Sequence, residues 1–242
     1  MLRKLTLALT FILGQLAVVN ISHADEQEFS IAYFYLKDGG ETKLDEFRTK
    51  AKPLWKKYGL EIEASYKPNG EKYSVLGINN MTVPDEVQIY YFKDPAKLQA
   101  YVNDPEYKKI AGLRAEAVER MVIFSGKGEL SKVPSKNKDR IFSIGMVYPE
   151  AEKQAMYEKY FNVAVPVLKN HSMKFDAVLD VKNVFGLLGD NPLVQPYRML
   201  IYSFDSDNKA KGISTDPLYQ AAYKSFLKPS LKEALVMDSK RS

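Results

Sequence analysis

The 242-residue sequence contains no cysteine. That excludes disulfide staples and thiolate metal sites, and leaves packed apolar cores as the source of stability. Histidine is nearly absent too, with His23 and His171 the whole complement, so no set of imidazoles can gather round an ion and no metal site is expected. There is no Gly-x-Ser-x-Gly elbow, no P-loop and no dinucleotide fingerprint. Charge of neither sign dominates. The 35 Lys and Arg against 30 Asp and Glu give +5, and Arg3 and Lys4 supply two of those charges, too weak a field to argue for nucleic acid. Apolar runs long enough to span a membrane are also missing: Leu5 to Val19 is broken by Gly14 and Gln15 and falls short of the ~20 residues a spanning helix needs.

Arg3-Lys4, the apolar run and the small residues Ser22 and Ala24 instead match a secretory signal peptide, residues 1–24, cleaved after Ala24. The mature chain is then periplasmic or secreted, with no stable membrane insertion. A cysteine-free exported chain suits a bacterial periplasm. The two glycosylation sequons, Asn80-Met81-Thr82 and Asn170-His171-Ser172, are about the number chance supplies.

What the chain does have is an internal echo. Phe29-Ser30-Ile31-Ala32-Tyr33-Phe34-Tyr35 returns as Phe142-Ser143-Ile144-Gly145-Met146-Val147-Tyr148. Lys52-Pro53-Leu54 is answered by Val165-Pro166-Val167, Leu76-Gly77-Ile78-Asn79 by Leu188-Gly189-Asp190-Asn191, Pro84 by Pro196, and Asp104-Pro105-Glu106-Tyr107 by Asp216-Pro217-Leu218-Tyr219. Order kept over so long a stretch reads as a tandem duplication.

Each copy has the same local grammar. Leu44, Phe47, Ala51, Leu54 and Tyr58 recur at helical spacing from Thr42 to Tyr58, with Thr42 as N-cap and Gly59 as the left-handed residue after the end. Tyr157, Tyr160, Ala164, Val167 and His171 repeat the stripe, and Pro53 and Pro166 interrupt both helices. Strands are expected at 29–36, 60–67, 86–92 and 118–125, and at 142–148, 173–181, 197–204 and 233–237. Asn69-Gly70 predicts a hairpin that folds the second strand back through Tyr73 to Ile78. Asp104-Pro105 and Asp216-Pro217 open the second helices, aspartate capping and proline taking the first position.

The order strand, helix, strand, strand, helix, strand is a ferredoxin-like unit. The fold class is therefore α+β: two tandem ferredoxin-like (βαββαβ) halves, residues 25–126 and 140–242, joined by a linker at 127–139. The third strands are apolar on both faces, so the two sheets are expected to pack on one another.

These features resemble the dimeric α+β-barrel superfamily. They are the proline-bearing first helix ending Tyr58-Gly59, the Leu76-Gly77 pair before the third strand, and Asp104-Pro105-Glu106-Tyr107 followed by Arg114. The likeness is to small bacterial domains similar to the NIPSNAP, EthD and antibiotic-biosynthesis monooxygenase families. It implies a pseudo-dimer within one chain and a fold that hosts cofactor-free oxygenases, isomerases, haem proteins and simple binders. The second copy departs from the pattern, with Phe226 in place of Arg114 and His171-Ser172 in place of Tyr58-Gly59.

The candidate site residues are Tyr58, Tyr90, Arg114, His171 and Tyr202. His171 would serve as haem ligand or general base; as the counterpart of Tyr58 it would instead simply finish a helix. Arg114 would bind a carboxylate or phosphate with its planar fork, or pair on a solvated helix face with Glu116 or Glu119. Sixteen tyrosines, with Tyr90 and Tyr202 at matching positions and Tyr33, Tyr35 and Tyr148 on the first strands, would line a cavity for an aromatic ligand or close the core between the sheets. Glu61 and Glu63 share a strand face that solvent explains. Glu86 to Phe92 lacks the basic-Gly-aromatic opening of an RNA-recognition motif, so no nucleic-acid partner is expected.

The residues thus point to a small, partly apolar organic ligand held between a sheet and its helix, with no required cofactor. A cofactor-independent oxygenase or isomerase, a haem binder through His171, and a structural or protein-binding barrel stay open as alternatives.

Overall fold

The structure is a computed structural model that describes residues 27–76, 82–92, 94, 96–131, 140–189 and 193–241, with the backbone alone at 70–76. The signal-peptide segment, Gly77 and most of the 127–139 stretch lie outside the described residues. Eight strands form one closed antiparallel barrel in the order β1-β3-β2-β8-β5-β7-β6-β4. They are β1 (Gln27–Leu36), β2 (Leu60–Leu76), β3 (Glu86–Phe92), β4 (Val118–Leu130), β5 (Ile141–Pro149), β6 (Lys174–Leu188), β7 (Arg198–Phe204) and β8 (Leu231–Arg241). Four strands of each half keep the same neighbours, 4-1-3-2 and 8-5-7-6, and β2 to β8 and β6 to β4 join the two sets at their edges.

The helices lie outside. They are α1 (Gly40–Tyr58), α2 (Lys97–Asn103), α3 (Pro105–Ala117), α4 (Gln154–Asn170), α5 (Asp207–Ile213) and α6 (Pro217–Ala222), the last running on through a π-helical turn at Tyr223–Leu227 to Ser230. Apolar residues at alternate strand positions face inward. Ile31, Val87 and Phe124 of the first half meet Ile144, Met199 and Leu235 of the second in one core inside the barrel. The other strand face packs on helices, with separate cores under α1 and under α4. This is why the third strands are apolar on both faces.

Several expectations need correction. No hairpin forms at Asn69-Gly70. β2 runs straight on and pairs from Tyr66 to Leu76 with β8, its register shifting between Pro68 and Lys72. β6 does the same, leaving β7 to pair with β4. Ladder bonds to the opposite half outweigh a local turn preference. The sheets therefore join edge to edge as well as facing each other. β4 continues to Leu130, four residues into the stretch read as linker. Thr42 lies inside α1, whose N-cap is Gly39 at φ 71°, while Gly59 ends it in the left-handed region at φ 68° as expected. Both helix interiors contain their proline, and Asp104 and Asp216 cap α3 and α6 through their side chains.

Candidate functional site

The outer face of the second sheet presents Gly145 on β5, Leu200 and Tyr202 on β7, and Ala234 and Val236 on β8. With α4 on one side and α5, α6 and the π-helical turn on the other, they border a half-open cavity of about 370 Å³. None of its lining residues is charged. A space of this size with apolar walls is what small-molecule sites have.

Its polar groups are mainly tyrosine hydroxyls. Tyr160 donates to the Tyr219 hydroxyl at 3.3 Å. Burial pushes the phenols of Tyr157, Tyr160, Tyr202 and Tyr219 above the usual tyrosine range, so all four are neutral at physiological pH. Tyr157 is 1% exposed and its hydroxyl is itself buried, so this phenol is part of the wall and does not project into the space. Its ring lies beneath the Arg198 guanidinium, 5.5 Å away. Arg198 is held in turn by Asp180 at 2.6 Å and Glu158 at 3.0 Å.

Three strands also place a polar row along the floor. Asp238 on β8 is the register partner of Ser143 on β5, and Ser143 that of Tyr202 on β7. Ser143 Oγ donates to the Asp238 carboxylate at 3.2 Å.

In the first half the positions 112 or 113 earlier carry different side chains, and the space beside α1 is a larger, polar pocket of about 730 Å³ bordered by Leu44, Arg48, Trp55 and Gln88. Trp55 stands where Leu168 lines the cavity, Tyr101 where Ile213 does, and Ala32 where Gly145 does. The Trp55 indole donates to the Tyr101 hydroxyl at 3.1 Å, and Tyr101 packs on Tyr107 with ring centroids 4.6 Å apart. The second helices differ as well. Val118 follows Asp104 by fourteen positions and Leu231 follows Asp216 by fifteen. The extra residue is taken up in the π-helical turn, whose Tyr223 and Leu227 line the cavity. Such one-residue bulges gather at functional sites.

Of the expected site residues, Tyr202 alone lines this cavity. Tyr58 donates to Asp104 at 2.7 Å, and His171 Nε2 lies 3.0 Å from Asp216. Each thus ties the end of a first helix to the cap of a second. A Cβ at Gly212 would sit 3.1 Å from His171 Nδ1, so the ring is wedged between α5 and α6. It does not line the cavity, and a haem held through it would not lie there. Arg114 is not on a solvated face: its guanidinium stacks over Phe47 and Tyr107 at 5.4 and 5.7 Å, with Nε buried and without a hydrogen bond. Tyr90 donates to Gln88 in a short bond and borders a pocket of about 300 Å³ with Phe92 and Leu98. Tyr58 packs edge-on against Tyr101, and Arg114 and Tyr90 lie near the same ring. These three therefore meet in a filled core, while His171 is in the other half.

Tyr33 and Tyr35 close the core between the sheets, whereas Tyr90 and Tyr202 face the helices. Tyr157, Tyr160 and Tyr219 were not legible as site residues: the first two belong to the helical stripe, and the third sits in the Asp-Pro-Leu-Tyr helix start. Among the described residues no three His, Asp or Glu side chains gather as a metal site, and no helix is long and apolar enough to cross a membrane.

No protein-family model matches the chain, and no curated protein is a significant match. Solved structures do match. The "putative monooxygenase" of Fusobacterium nucleatum is 8% identical with a TM-score of 0.57, over 88% of this chain and 91% of that one. An anthrone oxidase-like protein is 12% identical with a TM-score of 0.51, over 90% and 91%. The chlorite dismutase of Candidatus Nitrospira defluvii in complex with imidazole is 10% identical with a TM-score of 0.51, over 88% and 90%. The chain is similar to these proteins in fold, that of the dimeric α+β barrel.

Proposed function

We propose that this protein binds a flat, uncharged, largely apolar organic molecule bearing one or two oxygen functions, in the cavity of its second half. The observation that carries this reading is a half-open cavity of about 370 Å³ with no charged residue in its walls, bordered by tyrosine phenols that burial keeps neutral. Burying a charge there would be costly, whereas neutral phenols suit carbonyl and hydroxyl oxygens. In this reading the chain is a tandem duplication of ferredoxin-like halves, an intramolecular pseudo-dimer needing no second subunit to complete its barrel. The apolar site belongs to the second half, while the corresponding positions of the first half border a polar pocket with Arg48, Glu86 and Gln88 in its walls. The signal-peptide pattern supports export, placing the ligand in the periplasm or outside the cell.

The test is native against denaturing mass spectrometry of the protein purified from its own host, with an absorbance spectrum and a calorimetric titration with 1-naphthol. A mass lost on denaturation, or saturable naphthol binding at one site, is the expected result. A bare chain that takes up no naphthol would overturn the proposal.

A second reading, catalysis on the bound molecule without a cofactor, is supported by the likeness to an anthrone oxidase-like protein and a "putative monooxygenase". Oxygen uptake on adding anthrone, abolished when the cavity is filled by substitution, would distinguish an oxygenase from a carrier.

A further inference from the structure

The polar pocket of the first half has a chemistry opposite to that of the cavity. α1 borders it on one side and β2 and β3 on the other, and among the described residues in its walls four are Lys or Arg and four are Asp or Glu. Charge therefore cancels, and neither an anion nor a cation meets a net field there. The floor is a connected polar row. Gln88, 2% exposed, donates to Ser65 Oγ at 3.1 Å and to Glu86 at 2.8 Å, and Arg48 donates to the second Glu86 oxygen at 2.7 Å. Trp55, the single tryptophan of the chain, lines the same pocket, its indole fixed by the bond to Tyr101. Lys52 lines it too, exposed and without a hydrogen bond or ion pair among the described residues.

The second half carries Phe161, Val165, Leu168 and Leu200 at the places of Arg48, Lys52, Trp55 and Gln88, so a helix and sheet of this kind pack there with apolar groups alone. Burying an amide and a carboxylate instead costs free energy, and a departure of that sort from the packing rule marks a working site. We propose that the pocket is a second binding site and takes an uncharged saccharide. Sugar hydroxyls donate to carboxylates and accept from guanidinium and ammonium groups at once, and the C–H face of a sugar ring packs on an indole, whose π face is negative. This site owes nothing to the cavity of the second half, so either can fail alone.

Emission from Trp55, with no other tryptophan to mask it, reports on the pocket. The test titrates the purified protein with maltose, cellobiose and N,N′-diacetylchitobiose, and at least one should shift or quench that emission saturably. The affinity should survive raised salt, since an uncharged ligand has no attraction for ions to screen. Lys52→Ala removes a side chain that pairs with nothing among the described residues, so it should leave melting unchanged and weaken sugar binding by about threefold to tenfold, the worth of one exposed hydrogen bond to a charged group. Gly145→Leu, in the other half, should leave sugar binding intact. No response to any of the three sugars overturns the proposal, as does a response that only pyrophosphate gives and salt abolishes. Undiminished affinity in Lys52→Ala, or lost affinity in Gly145→Leu, would place the sugar outside this pocket and overturn it equally.

Discussion

Filling the cavity should stabilise the protein and end its binding, and Gly145 is the position from which to do it. It lies in β5 on the cavity floor, and a Cβ there would meet its nearest neighbours, Tyr202 Cε1 and Leu200 Cβ, at 3.6 and 3.8 Å, ordinary van der Waals contact. The first half carries Ala32 at the matching place, fully buried, so the sheet tolerates a side chain there. Gly145→Leu adds four carbons to a largely apolar space. At ~0.8 kcal/mol per buried carbon the gain is roughly 3 kcal/mol, less ~0.5–1 kcal/mol for the leucine rotamers. A net of about 2 kcal/mol corresponds to roughly 4–8 °C in a domain of this size.

The assay is thermal unfolding beside the naphthol titration. Raised melting with lost binding is the expected pair of results, the usual opposition between an open site and a packed core. A variant that melts lower would mean that the space is already occupied by side chains, and the cavity argument would fall. One that melts higher and still binds would place the site elsewhere.

Three other expectations follow from separate parts of the molecule. Asp176, 1% exposed, accepts from Tyr66 of the other half at 2.6 Å and lies 3.5 Å from Arg241; Tyr66→Phe should cost about 1.5–3 kcal/mol and Asp176→Ala about 3–5 kcal/mol in urea unfolding, because the second strands Arg241 and Tyr66 together. Hydrogen bonds from Lys57, Tyr58 and the Glu106 N–H hold the Asp104 carboxyl well below the usual carboxylate range, and His171 does the same for Asp216. A carboxyl lowered by folding contributes stability that is present above its unfolded pKa of about 3.9 and is lost as pH falls through the lower folded value. Stability should therefore decline below about pH 4, and Tyr58→Phe should lower it at neutral pH while flattening that acid slope; an unchanged slope in acid unfolding curves would refute the assignment. Deleting Ser225 from the π-helical turn should restore the helix length of the first half and abolish naphthol binding with the fold kept by circular dichroism; retained binding would mean that the turn does not open the site.

The order of elements was legible because each rests on local signals. The stripe of Leu44 to Tyr58, the aspartate-proline helix starts and the apolar third strands need no knowledge of distant residues. The failures came where distant pairing decides. Asn69-Gly70 carries a strong hairpin signal, yet seven residues from Tyr66 onward find partners on β8, and that ladder exists only once the halves meet. The site was less legible than the fold. Its tyrosines read as an ordinary helical stripe, because a cavity is made by what is small beside them, Leu168, Ile213 and Gly145. Only comparison with Trp55, Tyr101 and Ala32 shows that smallness. His171 drew notice for its rarity, and its geometry is that of Tyr58, a tie between helix end and helix cap.

The two halves also differ in a way that bears on how the chain folds. Between first helix and third strand, the first half pairs Arg48 on α1 with Glu86 on β3 at 2.7 Å, and the second pairs Glu158 on α4 with Arg198 on β7 at 3.0 Å. The sign is reversed. Were α4 to settle on the first sheet, Glu158 would stand against Glu86 and Phe161 would replace the Arg48 that pairs with it. Glu86 is 5% exposed, so that arrangement would leave a buried carboxylate facing a like charge, an error of several kcal/mol. A chain whose halves share strand order and helix stripe is at risk of exchanging matching parts, and repulsion in the wrong arrangement is how similar elements are kept apart. The reversal therefore disfavours α4 on the first sheet. It also keeps α4, with its tyrosines, over the sheet whose floor is Gly145.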